Sequence, residues 1–177
     1  MTQISSSHSD SSVCVRPATD ADRASLMPLI NAAYSVERFL EGERTDEAQL
    51  AAMMRKGVIL VAESGGQLLG CVYTEVRGRR GYLGLLAVDP AQQGKRLSCR
   101  LVTEAEEHLR RQGCEAADMI VLSLRSELLP VYHRFGYVET GTKEFGIGRQ
   151  LKPGAVCHEI MLSKALLDSV LNGAQRV

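Results

Sequence analysis

The stretch Leu83-Gly84-Leu85-Leu86-Ala87-Val88-Asp89-Pro90-Ala91-Gln92-Gln93-Gly94-Lys95-Arg96-Leu97-Ser98-Cys99-Arg100-Leu101-Val102 runs from an apolar strand-like segment through a polar turn into an amphipathic segment. Leu97, Leu101, Ala105 and Leu109 recur at helical spacing, and the charges at 104–107 fall on another face. That period predicts one long helix, closed by Gly113. A strand that ends in a tight loop and feeds straight into a helix aims several unpaired backbone N–H groups, at the positive end of the helix dipole, toward one point. Such a point suits a phosphate or pyrophosphate. A solvated basic turn before a helix has the same local composition, so the flanking segments decide between the two.

Upstream, residues 58–63 and 68–76 read as strands separated by Ser64-Gly65-Gly66-Gln67, a turn whose glycines supply positive φ at low steric cost. Arg77-Gly78-Arg79-Arg80 turns the chain into the run ending at Val88, which makes three consecutive antiparallel strands. Before them come a short strand at 13–16 closed by Pro17, and a helix capped at Thr19 or Asp20. That helix carries an apolar stripe of Leu26, Leu29, Ile30 and Ala33 and ends near Tyr34. Residues 35–44 lack a sustained period and read as a loop; Thr45 then caps a second helix that Gly57 ends. Downstream, "AADMIVLSL" is a strand, "SELLPVYHRF" a short helix ended by Gly136, and "YVETGTKEF" a strand and turn. A last strand over 155–163 and a terminal helix over "KALLDSVLN" complete the order. The fold class expected is α/β (α+β): a mixed, mostly antiparallel central sheet of about six or seven strands flanked by helices.

The chain of 177 residues has the size of one domain. That domain is expected over 13–164, with a disordered Ser-rich leader over 1–12 and a helix or tail over 165–177. Twenty-one basic residues against 21 acidic ones leave no net charge, so neither nucleic acid nor an anionic membrane is an expected partner. Cys14, Cys71, Cys99, Cys114 and Cys157 have no C-x-x-C spacing and form no cluster with the histidines, which predicts free thiols, no metal and a cytoplasmic location. No apolar run approaches the roughly 20 residues needed to span a bilayer, and the N-terminus lacks the pattern of a secretory signal.

Two segments together resemble the Gcn5-related N-acetyltransferase family. "LGLLAVDPAQQGKRLSCRLV" is similar to that family's cofactor-binding segment, and "LLPVYHRFGYVETG" to its downstream Tyr-x-x-x-Gly-aromatic segment. The resemblance runs over 13–164 and implies the acyl-CoA N-acyltransferase fold, acetyl-CoA as co-substrate and transfer of acetyl to a primary amine of a small molecule or peptide. Dimers are common among relatives, so a homodimer is possible. The family loop pattern Gln/Arg-x-x-Gly-x-Gly/Ala places Gln93 first, Arg96 where the first glycine belongs and Ser98 at the last small position. Gln93, Gly94, Lys95, Arg96, Leu97 and Ser98 are then the implied phosphate contacts. The backbone of Leu86, Ala87 and Val88 is implied as the edge along which the pantetheine arm pairs. With an arginine in the first glycine's place, a non-catalytic or weakly catalytic acyl-CoA-binding protein of the same fold is the alternative.

Acetyl transfer to an amine needs a neutral nucleophile, a donor for the developing oxyanion and a proton for the departing thiolate. Tyr132 matches the family tyrosine assigned the last task, and an unperturbed phenol, pKa near ~10, is protonated at neutral pH. Seven residues earlier, where relatives often have asparagine, stands Arg125, which could hold the cofactor, bind an acidic part of the substrate or pair with Glu127. Relatives often carry a carboxylate on the strand before the loop, but the position here falls near Tyr82. The candidate bases are therefore Glu37, Glu41, Glu75 and a water chain to solvent, with Glu37 ranked first. The loop after the first helix lines the acceptor side in relatives, so Tyr34, Glu37, Arg38 and Phe39 resemble substrate-side residues; Glu75 and Arg125, from other segments, are further substrate-side candidates. His133, one residue past Tyr132, is expected on the surface, and Cys99 in helix packing. The basic turn Arg77-Gly78-Arg79-Arg80 is expected to join Lys95, Arg96 and Arg100 in one local patch.

Overall fold

The computed structural model describes residues 13–94 and 96–167. Within them lie β1 (Cys14–Pro17), α1 (Arg23–Tyr34), α2 (Glu47–Lys56), β2 (Val58–Ser64), β3 (Gln67–Arg77) and β4 (Arg80–Val88), followed by α3 (Leu97–Arg111), β5 (Ala116–Leu122), α4 (Leu129–Arg134), β6 (Val138–Glu144) and β7 (His158–Ala165). The strands form one sheet in the order β1-β2-β3-β4-β5-β7-β6. Every pairing is antiparallel except β4 with β5. The mixed, mostly antiparallel sheet expected from the sequence is the one observed.

Two cores lie on opposite faces of this sheet. One packs Leu97, Leu101, Ala105 and Leu109 of α3 against Leu60, Val72, Leu83 and Val121. The other packs Leu26 and Ile30 of α1 and Leu50 of α2 against Ile59, Val61, Leu85 and Ala87. The helical stripes of the sequence are the faces that the cores use. Gly81 allows α3 to come close, because a Cβ there would meet the Leu109 side chain at 2.5 Å.

Several boundaries differ from the expected ones for local reasons. Asp46, not Thr45, caps α2: its carboxylate accepts the Gln49 N–H at 2.8 Å. Thr45 is instead clamped to α1, its N–H donating to Asn31 Oδ1 and its carbonyl accepting from Asn31 Nδ2, each at 3.0 Å. The last strand begins at His158 rather than 155 because Ala155 closes a turn onto the Lys152 carbonyl at 3.0 Å. At its other end β7 continues through Ala165, with Leu166 buried, so the ordered domain passes the expected boundary at 164. The leader over 1–12 and the tail from 168 onward lie outside the described residues. Arg77, Arg79 and Arg80 pair with Glu75, Glu115 and Asp118 at the far end of β4 from the loop after Val88, so they form no common patch with Arg96 and Arg100.

Leu109 is fully buried where α3 meets the sheet. Leu109→Ala is expected to lower the unfolding free energy by about 2–5 kcal/mol through lost burial and the cavity left behind, read as a shift of the urea midpoint at unchanged slope.

Candidate active site

The site begins with a break in β4. Leu85 holds φ +48, and the β3–β4 register shifts between Cys71 and Tyr73, which is the signature of a bulge. Its effect is visible in the side chains: Leu83 faces the α3 core, yet Leu85, two residues on, faces the α1 core. In an unbroken strand the two would share a face. On the other edge, β4 pairs with β5 only from Arg80 to Tyr82, opposite Ala116 to Asp118. Beyond Tyr82 the strands part, and the backbone groups of β4 that face β5 have no strand partner there.

The opening is a cleft of about 520 Å3, lined on one side by Gly84, Leu85, Leu86 and Val88 of β4 and on the other by Ile120, Val121 and Leu122 of β5. Ala87 does not line it, since its methyl is buried against the α1 core and its carbonyl lies beside Gly70 of β3. The alternation of a strand therefore turns the backbone groups of Leu86 and Val88 to the open edge.

Gln93, Gly94, Arg96, Leu97 and Ser98 line the same cleft, as does Cys99; Lys95 lies outside the described residues. Asp89 organises the loop by accepting the Ala91 N–H at 2.9 Å. Gly94 has φ +81 and Arg96 φ +57 with ψ +16, so Arg96 adopts the left-handed conformation that a glycine would take in its place. Arg100 N–H bonds the Arg96 carbonyl at 3.2 Å as the first helical bond, and no side chain caps the turn. The amides of Leu97, Ser98 and Cys99 thus begin a 15-residue helix without intrahelical acceptors.

Tyr132 reaches the cleft from α4. Gly136, at φ +90, turns the chain at the end of that helix, so that the Tyr137 N–H returns to the Tyr132 carbonyl at 3.1 Å. The buried Tyr137 ring then packs edge-on against Tyr132, with centroids 6.3 Å apart. This is the physical content of the Tyr-x-x-x-Gly-aromatic pattern: the glycine folds a second ring under the first. Burial pushes the Tyr132 hydroxyl up to about 12, so it is protonated at neutral pH. Its hydroxyl has no hydrogen-bond partner among the described residues. His133 faces elsewhere and meets Glu139 at 3.4 Å.

Glu37 is 9% exposed. Arg125 Nη1 and Arg149 Nη1 each lie 3.4 Å from its carboxylate oxygens. Burial raises its pKa above the usual carboxylate value, with Arg44, Arg125 and Arg149 pulling in the opposite direction. Arg125 also meets Glu127 at 2.6 Å, so it serves two carboxylates. Arg149 arrives from the loop between β6 and β7, which pairs with the loop after α1: Glu41 N–H bonds the Gln150 carbonyl and Lys152 N–H the Phe39 carbonyl, both at 2.9 Å. Buried Glu159 steadies the far end of that loop through the Gly146 N–H at 2.7 Å and Lys143 at 2.9 Å.

Tyr34 lines the cleft beside Glu37, with the Arg44 guanidinium 5.0 Å from its ring centroid. Phe39 does not; it packs with Leu40, Leu122 and Cys157 in a small separate core. Glu75 stands apart as well, bonded to the Tyr73 hydroxyl at 2.9 Å and to Arg77, whose hydrogen bond holds its carboxyl below the usual range. Tyr82, Ile120, Val121 and Leu122 also line this cleft, and Arg149 reaches Glu37, beyond the site residues expected from the sequence. The alternation of β4 around Tyr82 and the apolar run of β5 were the available signals.

A seven-stranded mixed sheet parted beside a helix N-terminus is the acyl-CoA N-acyltransferase architecture. The chain belongs to the GNAT acetyltransferase family, whose acetyltransferase (GNAT) domain model matches residues 29–150. It is 31% identical over 90 residues to the mycothiol acetyltransferase of Propionibacterium freudenreichii subsp. shermanii, a match covering 49% of this chain and 29% of that protein. The chain therefore spans less than a third of that relative. An acetyltransferase of Agrobacterium fabrum is 27% identical over 123 residues, covering 70% of this chain and 80% of its own. Among solved structures, yncA of Salmonella typhimurium, determined with its cofactor acetyl-CoA, superposes with a TM-score of 0.70 at 21% identity, over 89% of this chain and 96% of that one.

The left-handed backbone at Arg96 makes a stability prediction. Arg96→Gly is expected to keep the unfolding free energy within about 1 kcal/mol of the parent or above it, because glycine adopts φ +57 without a Cβ clash. Arg96→Val is expected to lower it by about 1–2 kcal/mol, since a β-branched residue is poorly tolerated there. Urea unfolding of the two variants side by side checks the order.

Proposed function

We propose that this chain is an N-acetyltransferase that moves the acetyl group of acetyl-CoA to a primary amine of a small molecule or peptide by direct attack. The observation that carries the reading is the parting of β4 from β5 beside the N-terminus of α3, with Tyr132 and Glu37 on the same cleft. The open edge at Leu86 and Val88 fits an extended amide-bearing arm, and the unpaired amides of Leu97, Ser98 and Cys99 fit a pyrophosphate. Gln93, Gly94 and Lys95 complete the loop by family resemblance. The Arg96 guanidinium adds a charge-assisted donor that a glycine lacks.

Bound there, acetyl-CoA supplies a thioester carbonyl that an amine converts to an amide with release of the thiol. Glu37 accepts the proton that the amine nitrogen loses as its new bond to carbon forms. Tyr132 donates its phenolic proton to the sulfur as the carbon–sulfur bond breaks, and solvent returns the proton. Tyr34 and Arg125 shape the acceptor side around Glu37. The left-handed Arg96 backbone supports cofactor binding at this loop, because it keeps the conformation that a glycine would take; turnover is what separates the enzyme from a binding protein of the same fold.

Purified protein incubated with acetyl-CoA and a panel of amines should release free thiol only when an accepted amine is present. Tight binding of acetyl-CoA with no amine-dependent release across the panel overturns the enzyme reading. Tyr132→Phe is expected to lower kcat by about 10²-fold while the Kd for acetyl-CoA moves less than twofold; equal losses in both would remove the acid assignment. For Glu37 the sign follows from its raised pKa: a base acts only when ionised, so kcat/KM falls as pH drops through a value above the ordinary ~4.3 of a glutamate. Glu37→Gln is expected to lower kcat by about 10²-fold or more and to remove that limb of the profile.

A further inference from the structure

A second cavity, of about 720 Å3, adjoins the cleft, and the two share Tyr34, Glu37 and Arg44. Among the described residues of the loop from Gln93 to Ser98 none lines this second cavity. Among the described residues its charged lining is Arg38, Arg44, Arg149 and Lys152 against Glu37 and Glu43, four cations to two carboxylates. These groups are not equivalent. Arg149 is spent internally, its Nη2 donating to the Glu41 and Gly42 carbonyls at 3.2 and 3.1 Å and its Nη1 facing Glu37. Glu43 accepts from Asn31 Nδ2 at 2.9 Å.

Arg44 differs from Arg149. It is half-buried, it lines both cavities, and its guanidinium is held at 5.0 Å from the Tyr34 ring centroid. No carboxylate lies within ion-pair distance of it, and no hydrogen bond occupies its donors, among the described residues. A guanidinium fixed by an aromatic face, with its fork of N–H donors unfilled and turned to a cavity, matches a planar carboxylate. Glu37, the one carboxylate lining both cavities among the described residues, stands beside it and suits the ammonium or amine end of the same molecule.

We infer that the acceptor is a small zwitterion, a primary amine that carries its own carboxylate, with Arg44 binding the carboxylate and Glu37 the amine. The inference rests on the reading of the chain as an N-acetyltransferase and adds the substrate class. The reaction is then a free amino acid plus acetyl-CoA giving the N-acetyl amino acid and free coenzyme A: the nitrogen–carbon bond forms, the carbon–sulfur bond breaks, and the proton lost from nitrogen replaces the acetyl group on sulfur. A polyamine places only positive charge against Arg38, Arg44, Arg149 and Lys152 and is disfavoured. A peptide N-terminus lacks a carboxylate beside its amine and leaves the Arg44 donors unfilled, which is costly in a half-buried site.

The test compares free acids with their carboxamides on the full-length protein: L-amino acids, β-alanine and 4-aminobutyrate, each with its amide, and spermidine as the polycation. Thiol release is expected to favour the acid over its amide by roughly 10- to 100-fold in kcat/KM for at least one pair. Arg44→Gln is expected to raise KM for that acid about tenfold and leave the amide unchanged, with Arg44→Lys restoring part of the loss. Acid and amide equal within threefold, preference for spermidine, or an unaltered KM in Arg44→Gln overturns the inference while the acetyltransferase reading stands. If no amine releases thiol, that reading fails first. Calorimetric titration of the same acids and amides into protein saturated with coenzyme A then decides alone: acid-selective binding lost in Arg44→Gln sustains a carboxylate site, and its absence overturns it.

Discussion

A leucine at φ +48 inside a strand costs about 1–2 kcal/mol relative to ordinary extended backbone. The surrounding core holds Leu85 there: its side chain is buried with Leu26, Ile30 and Ala87 on the α1 face, while Leu83 is buried on the α3 face. Straightening the strand would put both side chains on one face and so move one of them out of the core that buries it. Because the bulge cannot relax without breaking one of the two cores, β4 cannot follow β5 past Tyr82. The gap between the strands is therefore a packed feature of the fold. Leu86 and Val88 keep an unpaired backbone edge as a direct consequence of where Leu83 and Leu85 are buried.

The second wall of the site follows from the same two cores. Leu97 and Leu101 pin the first turns of α3 to the sheet beside Leu60 and Val72, so the start of the helix is fixed at the mouth of the gap. With the strand end and the helix start both fixed, the loop between them has little freedom, and Arg96 is left with a positive φ. A glycine makes that conformation easy, but the anchors at either end are what impose it. The same logic applies at Tyr132, where Gly136 and the buried Tyr137 ring set the direction of the phenol from below.

Periodicity and turn residues carried most of the fold. The helical stripes of α1 and α3, the Gly65-Gly66 hairpin and the three-strand meander each rest on local patterns that dominate when one face is buried. Boundaries moved where a tertiary contact outweighed a local preference, as when Asn31 claimed the backbone of Thr45 and left the cap of α2 to Asp46. The bulge was not legible, because Leu85 carries no glycine-like signal and its φ is imposed by packing. Nor was Arg149, which stands 112 positions from Glu37 and reaches it only because the Phe39 and Leu151 segments pair. Phe39 and Glu75 were plausible site residues by chain position, but a small apolar core claims one and the Tyr73 and Arg77 side chains hold the other.

The charge around Glu37 is where structural demands alone leave something over. A buried carboxylate needs a partner, and Arg125 with Arg149 supplies two. Pairs of this kind contribute little net stability, since desolvation offsets most of the attraction and apolar residues of similar volume serve as well. Stability therefore accounts for two guanidiniums at most and gives no reason for a third. Arg44 is that third cation, and its charge pulls the Glu37 pKa down against the burial that raises it. It also lies over Tyr34, a contact that favours the orientation toward the shared cavity. An unspent cation beside a buried carboxylate has the charge pattern of a zwitterion's counterpart, and any part of the ordering that the Tyr34 ring already imposes lowers the cost of binding.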